Sequence, residues 1–145
     1  MESLCPFSAA NWTATFSITV TPVDDAPTQD TNATLTLAEG STDTITSTYL
    51  DASDVDTDDT ALVYTIGTAP SNGTLQLSGS ALSSGDTFTQ DDIGNSNVTY
   101  VHDSSDTTSD SFTFVLADAT TALSSATFSI TVTPVDDAPT QDINA

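Results

Sequence analysis

The chain has no lysine and no arginine among its 145 residues. Without fixed cations it cannot neutralise the phosphates of nucleic acid or the headgroups of anionic lipid, which makes both poor partners. Histidine and cysteine occur once each. A lone Cys5 excludes an intrachain disulfide, and it is expected to be a free thiol, with interchain pairing as the alternative. One histidine and no basic side chain leave little for acid–base or nucleophilic chemistry. Carboxylates fill nearly every loop, so no pair stands out as a glycosidase pair. The chain is therefore read as not an enzyme, with no catalytic residue. No apolar run approaches the about 20 residues that span a bilayer, and membrane insertion is not expected. The start, "MESLCPFSAANW", has neither a basic region nor a long apolar core, so it is not read as a signal peptide.

What is present is acid and hydroxyl. There are 19 Asp against 2 Glu, for a net charge of −21, together with 29 Thr and 19 Ser. Short carboxylates favour turns and metal-binding loops, and β-branched threonine suits exposed strand positions. The pattern has period two throughout. Phe16, Ile18 and Val20 alternate with Thr and Ser in "TFSITVT", and Phe128, Ile130 and Val132 do so in a second copy. Further strands are predicted at "TLTLA", "DTITSTY", "ALVYTIG", "GTLQLSG", "DTFTQ", "NVTYV" and "DSFTFVLAD". "TQDDIG" is expected to make one helical turn capped by Thr89. Trp12 shares the parity of Phe16 and Ile18 and is expected at a core or edge position of that strand.

"ATFSITVTPVDDAPTQD" occurs at 14–30 and again, without a change, at 126–142. Pro22 and Pro27 cannot donate ladder hydrogen bonds, so the stretch after the strand reads as a stiff connector. One module plus one linker then makes the repeat unit, as in beads on a string. The fold class is all-β, a Greek-key two-sheet β-sandwich of about seven strands with an N-terminal extra strand and linker.

The "LVYTIG" strand, "NGTL", "GDTFTQDDI", "YVHD", "DSFTF…D" and the "VTPVDDAPT" junction together resemble the cadherin-like repeat of the chondroitin-sulfate-proteoglycan type. That family occurs as tandem arrays in large bacterial surface proteins and in some animal matrix proteins. The resemblance implies these parts: 1–13 a non-repeat N-terminal segment; 14–22 an orphan strand equivalent to the last strand of a preceding module; 23–33 an interdomain linker; 34–134 the cadherin-like sandwich; 135–145 the start of the next linker. It implies an extracellular or cell-surface location and neighbouring copies of the module as partners. In cadherins proper, calcium sits between modules on acidic residues of both. By that resemblance Glu39, Asp54, Asp56, Asp136, Asp137, Asp24 and Asp25 are candidate ligands. "HDSSD" adds Asp103 to the set, with Asp106 nearby, while His102 reads as a structural strand-end residue.

Two readings of the acidic loops stand at this point. "DASDVDTDD" is either a solvated loop in a protein suited to high salt or part of one or more Ca²⁺ sites; no spacing here fits an EF-hand. Three roles follow. The first is a non-catalytic module of a cation-stiffened extracellular array. The second is a filament subunit whose strand 14–22 adds to a neighbouring chain's sandwich. The third is a glycan- or protein-binding module. Sequons at Asn11, Asn32, Asn72 and Asn97 are possible glycosylation sites.

Overall fold

A computed structural model describes residues 13–139. Cys5, Asn11, Trp12 and the positions after Pro139 lie outside the described residues, and so does nearly all of the expected segment 1–13.

Eleven strands and one helical turn follow in order: β1 (Thr28–Asn32), β2 (Leu35–Ala38), β3 (Thr42–Thr44), β4 (Leu50–Ser53), β5 (Val63–Thr68) and β6 (Gly73–Leu77), then β7 (Ser80–Ala81), β8 (Thr87–Thr89), α1 (Gln90–Gly94), β9 (Val98–His102), β10 (Ser109–Ala117) and β11 (Ala126–Thr133). They form a five-stranded sheet ordered β2-β11-β10-β5-β8, a four-stranded sheet ordered β3-β9-β6-β7, and a ribbon of β1 with β4. The expected all-β two-sheet sandwich is what forms.

One core lies between the layers. Alternation along β11 buries Phe128, Ile130 and Val132, and β10 buries Phe112, Phe114 and Leu116. Phe112 stacks on Phe128 with ring centroids 5.0 Å apart, and Tyr64 stacks on Phe88 at the same distance. Such pairs contribute about 0.5–1.5 kcal/mol beyond their burial. Gly73 is dictated by packing, because a Cβ there would fall 2.4 Å from the Tyr100 hydroxyl oxygen. Helix α1 is capped as expected: the Thr89 hydroxyl accepts from the Asp92 N–H at 3.1 Å, and the Asp92 carboxylate accepts from the Thr89 N–H at 2.9 Å.

Three expectations change. Thr28–Asn32, within the stretch 23–33 expected to be linker, is strand β1, and Pro27 just before it is buried. Its partner β4 was hidden at the start of the acidic "DASDVDTDD" stretch, where Leu50 and Ala52 point inward. The "DTITSTY" strand breaks after Ile45, because the Tyr49 and Leu50 N–H groups both return to the Thr46 carbonyl and close a turn. Finally, 14–22 has no ladder partner among the described residues and is not a strand; Phe16, Ile18 and Val20 are 86%, 75% and 81% exposed.

The pairing of β2 with β11 is parallel, with Leu35 opposite Ile130 and Ala38 opposite Thr133. Both strands therefore run from the end where the chain arrives to the end where it leaves. These are called the leading and trailing ends below.

Candidate functional site

The topology delivers acidic residues to both ends. At the leading end, β4 is antiparallel to β1, so Ser53 lies opposite Thr28 and places Asp54 and Asp56 beside the arriving linker. The β10 strand is antiparallel to β11 and ends there too, which adds Asp118. The Asp54 Oδ1 accepts the N–H groups of Asp56 (2.9 Å) and Thr57 (3.1 Å), holding its carboxyl below the usual carboxylate range. Asp118 is lowered in the same way by the N–H groups of Thr121 and Thr120. Asp56 is pushed up, first by its hydrogen bond to the Asp54 side chain. The second oxygens of Asp54 and Asp118 are buried with no hydrogen-bond partner among the described residues. Buried carboxylate oxygens left unpaired are costly and suit a cation. Asp24 joins this end by accepting from the Thr120 hydroxyl.

At the trailing end, Glu39 follows β2, and its N–H donates to the Thr133 carbonyl at 2.9 Å. Its Oε2 accepts from the Val135 N–H at 3.3 Å. One carboxylate oxygen each from Glu39, Asp106 and Asp137 lies within 4.8 Å of the others. Three carboxylates supply part of the six to eight oxygens that calcium takes, with backbone carbonyls and water as the usual remainder. The donor set fits a hard cation.

His102 braces this end from inside. It is 2% exposed, and its Nδ1 accepts from both the Gly40 and Ser104 N–H groups at 3.2 Å. An Nδ1 that accepts twice carries no proton, so Nε2 bears it and faces the Thr107 hydroxyl at 3.1 Å. The turn after β2 and the loop after β9 thus meet on one imidazole. Gly40 suits the contact: its φ is +67°, and a Cβ there would sit 2.9 Å from Ser104 Oγ.

The eight candidate ligands therefore divide between the ends. Asp24, Asp25, Asp54 and Asp56 are at the leading end, while Glu39, Asp103, Asp136 and Asp137 are at the trailing end. Of the trailing four, Glu39 and Asp137 converge. Asp103 instead closes its own turn by accepting from the Ser105 N–H at 3.0 Å, and its carboxyl is held low by the Ser105 hydroxyl and N–H. Asp106 takes the place beside Glu39. Sequence reasoning missed Asp118 and Thr120 altogether; "ADATT" carries the signal of an Asx turn, which says nothing of the linker it would meet. Among the sequons, Asn32 is exposed with its amide donating to the Thr127 carbonyl at 2.9 Å, whereas Asn72 and Asn97 are half-buried. No cavity opens among the described residues, and none of their helices is long and apolar enough to cross a membrane.

A two-layer sandwich with acidic side chains beside both the arriving and the departing linker defines an all-β module. The chain belongs to the Cadherin-like family, whose profile matches residues 27–132 and so begins immediately before β1. It is similar to the extracellular matrix organizing protein FRAS1 of Mus musculus, with 39% identity over 110 residues that cover 74% of this chain and 3% of that protein. The human FRAS1 is 39% identical over 123 residues, covering 84% of this chain and 3% of its own length. Extracellular matrix protein 3 of Lytechinus variegatus is 37% identical over 129 residues, covering 88% of this chain and 4% of that protein. The chain thus spans a few per cent of the length of these relatives.

Proposed function

We propose that this chain is a non-catalytic structural module of an extracellular tandem array whose joints are stiffened by Ca²⁺. Such a stalk suits an animal matrix protein and a bacterial surface protein alike. The observation that carries the reading is the convergence of Glu39, Asp106 and Asp137 on one point, where a turn, a loop and the departing linker meet. Without a cation, three carboxylates so close repel one another. With one, the linker is fixed to the module it leaves. The leading-end carboxylates Asp54 and Asp118, each with an unpaired buried oxygen, would serve the same purpose toward the linker that arrives.

Thermal melting with Ca²⁺ or with chelator at constant ionic strength tests the cation. Extracellular modules bind Ca²⁺ with Kd of roughly 10⁻⁴–10⁻³ M, so about 10 mM Ca²⁺ should add roughly 1.4–2.7 kcal/mol. Asp137→Asn should remove most of that gain. A Tm that ignores Ca²⁺ would overturn the cation, though not the module.

A second reading has its own observation. Phe16, Ile18 and Val20 are exposed, while their repeat counterparts Phe128, Ile130 and Val132 are buried in β11. An uncovered copy of a core strand can add to another chain's sandwich, and head-to-tail contacts of that kind build fibres. Sedimentation and electron microscopy decide it: fibres that vanish when residues 1–22 are removed support strand addition, and a monomer in all conditions refutes it.

A further inference from the structure

We propose that Asn32 is the asparagine of the described residues that carries an N-linked oligosaccharide, and that Asn72 and Asn97 stay bare. This rests on the extracellular reading above, because only a chain that enters a eukaryotic secretory pathway meets the sugar donor.

The sequence supplies the acceptors. Threonine fills 29 of 145 positions, so about one asparagine in five should have it two residues on; Asn11, Asn32, Asn72 and Asn97 make four of six. Asn-x-Thr is the acceptor pattern for N-glycosylation. In the transfer, the Asn Nδ2 attacks the anomeric carbon of an oligosaccharide held on a lipid diphosphate. The N–C bond forms as the C–O bond to the diphosphate breaks. The diphosphate leaves with that electron pair, and Nδ2 gives up one of its two protons. The motif is met before the chain has folded, so the finished fold decides which product is kept. A glycan is bulky and solvated, and its asparagine has to stand at the surface.

The fold separates the three described acceptors. Asn32 closes β1, and both Asn32 and Thr34 are exposed. Its Nδ2 spends one hydrogen on the Thr127 carbonyl at 2.9 Å and has a second to exchange for sugar. Asn72 is half-buried and tied down on every side. Its N–H donates to Asp110 Oδ2 at 2.9 Å and its Nδ2 to the Ser109 carbonyl at 3.2 Å. Its carbonyl accepts from the Tyr100 hydroxyl at 3.2 Å and the Asp103 N–H at 3.1 Å. The next residue, Gly73, has no room even for a Cβ, and Thr74 is half-buried. Asn97 is half-buried as well. Its N–H donates to the Asp92 carbonyl at 2.9 Å, and its own carbonyl accepts from the Ser78 N–H at 2.8 Å. Val98, which follows, is fully buried. A sugar on Asn72 or Asn97 has to displace packed neighbours, whereas one on Asn32 displaces only water.

The test is to secrete the full chain from an animal cell line behind a supplied leader peptide. Enzymatic release of the glycans in H₂¹⁸O turns each occupied asparagine into ¹⁸O-labelled aspartate. Chymotryptic peptides are then read by mass spectrometry, since a chain without Lys or Arg gives trypsin no cleavage site. The label should fall on Asn32 in most secreted molecules and stay at background on Asn72 and Asn97. Thr34→Ala, at an exposed position, should abolish the Asn32 label while the deglycosylated protein melts as the deglycosylated parent does. A bare Asn32 in secreted protein, or label on Asn72 or Asn97 to match it, would overturn the assignment and leave the extracellular module standing. Retention of the chain in the cell despite the leader would overturn the extracellular reading and the site with it.

Discussion

Aspartate does opposite things at different positions of this chain, and its surroundings decide which. Asp110 is fully used: one oxygen accepts from the N–H groups of Ser71 (3.0 Å) and Ser111 (2.8 Å), the other from the Asn72 N–H (2.9 Å) and the Tyr100 hydroxyl (2.8 Å). Asp51 is crowded instead. Burial pushes its carboxyl above the usual range, and Asp30 and Asp59 push it further. A raised folded-state value means that ionised Asp51 costs stability at neutral pH, and that the cost fades as pH falls through that value. Asp51→Asn keeps an oxygen for the Gln90 amide, which donates to Asp51 Oδ1 at 2.8 Å. It should raise Tm at pH 7 by roughly 2–4 °C, about half a kcal/mol. The gain should fade at acid pH, below the ordinary Asp value of about 3.9, where the carboxyl is protonated in the folded and the unfolded chain alike. Equal gains at both pH values in circular dichroism melts would refute the cause. Asp118 has the opposite sign: its stabilisation holds above the ordinary Asp range and is lost as pH falls through its lowered value. Little of this was legible in the sequence. Thr89 was, because a cap bonds within three residues. Gln90 was not: its buried side chain serves Ala52, Asp51 and Tyr64, far apart in the chain.

At the scale of elements, the repeat supplies its own control. Phe128 and Phe16 occupy identical sequence surroundings, yet one is fully buried against Phe112 and the other is 86% exposed. Phe128→Ala should cost about 3–5 kcal/mol, and Phe16→Ala less than about 0.5 kcal/mol. Urea denaturation of the two variants checks both, and comparable losses would show that 14–22 packs on the sandwich. The contrast also marks the limit of period-two reading. Alternation identified every strand of the five-stranded sheet and β6 and β9 of the other, since one face of each is apolar; it caught β3 only in part and missed the two-residue β7. It failed for β1, "TQDTN", whose inward positions are polar, and for β4, whose acidic flank resembles a loop. It likewise marked 14–22 as a strand when only a ladder partner makes one. Of the candidate site, the residue types and the two linker pairs were legible. Which acids converge depends on β2 and β11 lying side by side, and no local pattern reports a pairing across about a hundred residues.

For the whole molecule, the decisive quantity is a charge of −21 with no Lys or Arg to offset it. Among the described residues the only acid–base contact is His102 with Asp103 at 3.9 Å, and the tautomer assigned above leaves that imidazole neutral. Self-repulsion is therefore relieved only by the solvent. Raising NaCl from about 0.1 M to 1 M shortens the screening length from about 10 Å to 3 Å. Tm should rise by about 5 °C, on the order of 1 kcal/mol. A salt-independent Tm would mean that the carboxylates are already neutralised, by bound cations or by protons. The parallel pairing of β2 with β11 has a mechanical consequence. In an array under tension, load enters a module ahead of β1 and leaves it after β11, so the two neighbouring strands are dragged past each other lengthwise. Their hydrogen bonds, from Leu35–Ile130 to Ala38–Thr133, then carry the pull together instead of opening one by one. The chain is wired like a lap joint, and in the array proposed above such modules would resist stretching best along the line from the arriving to the departing linker.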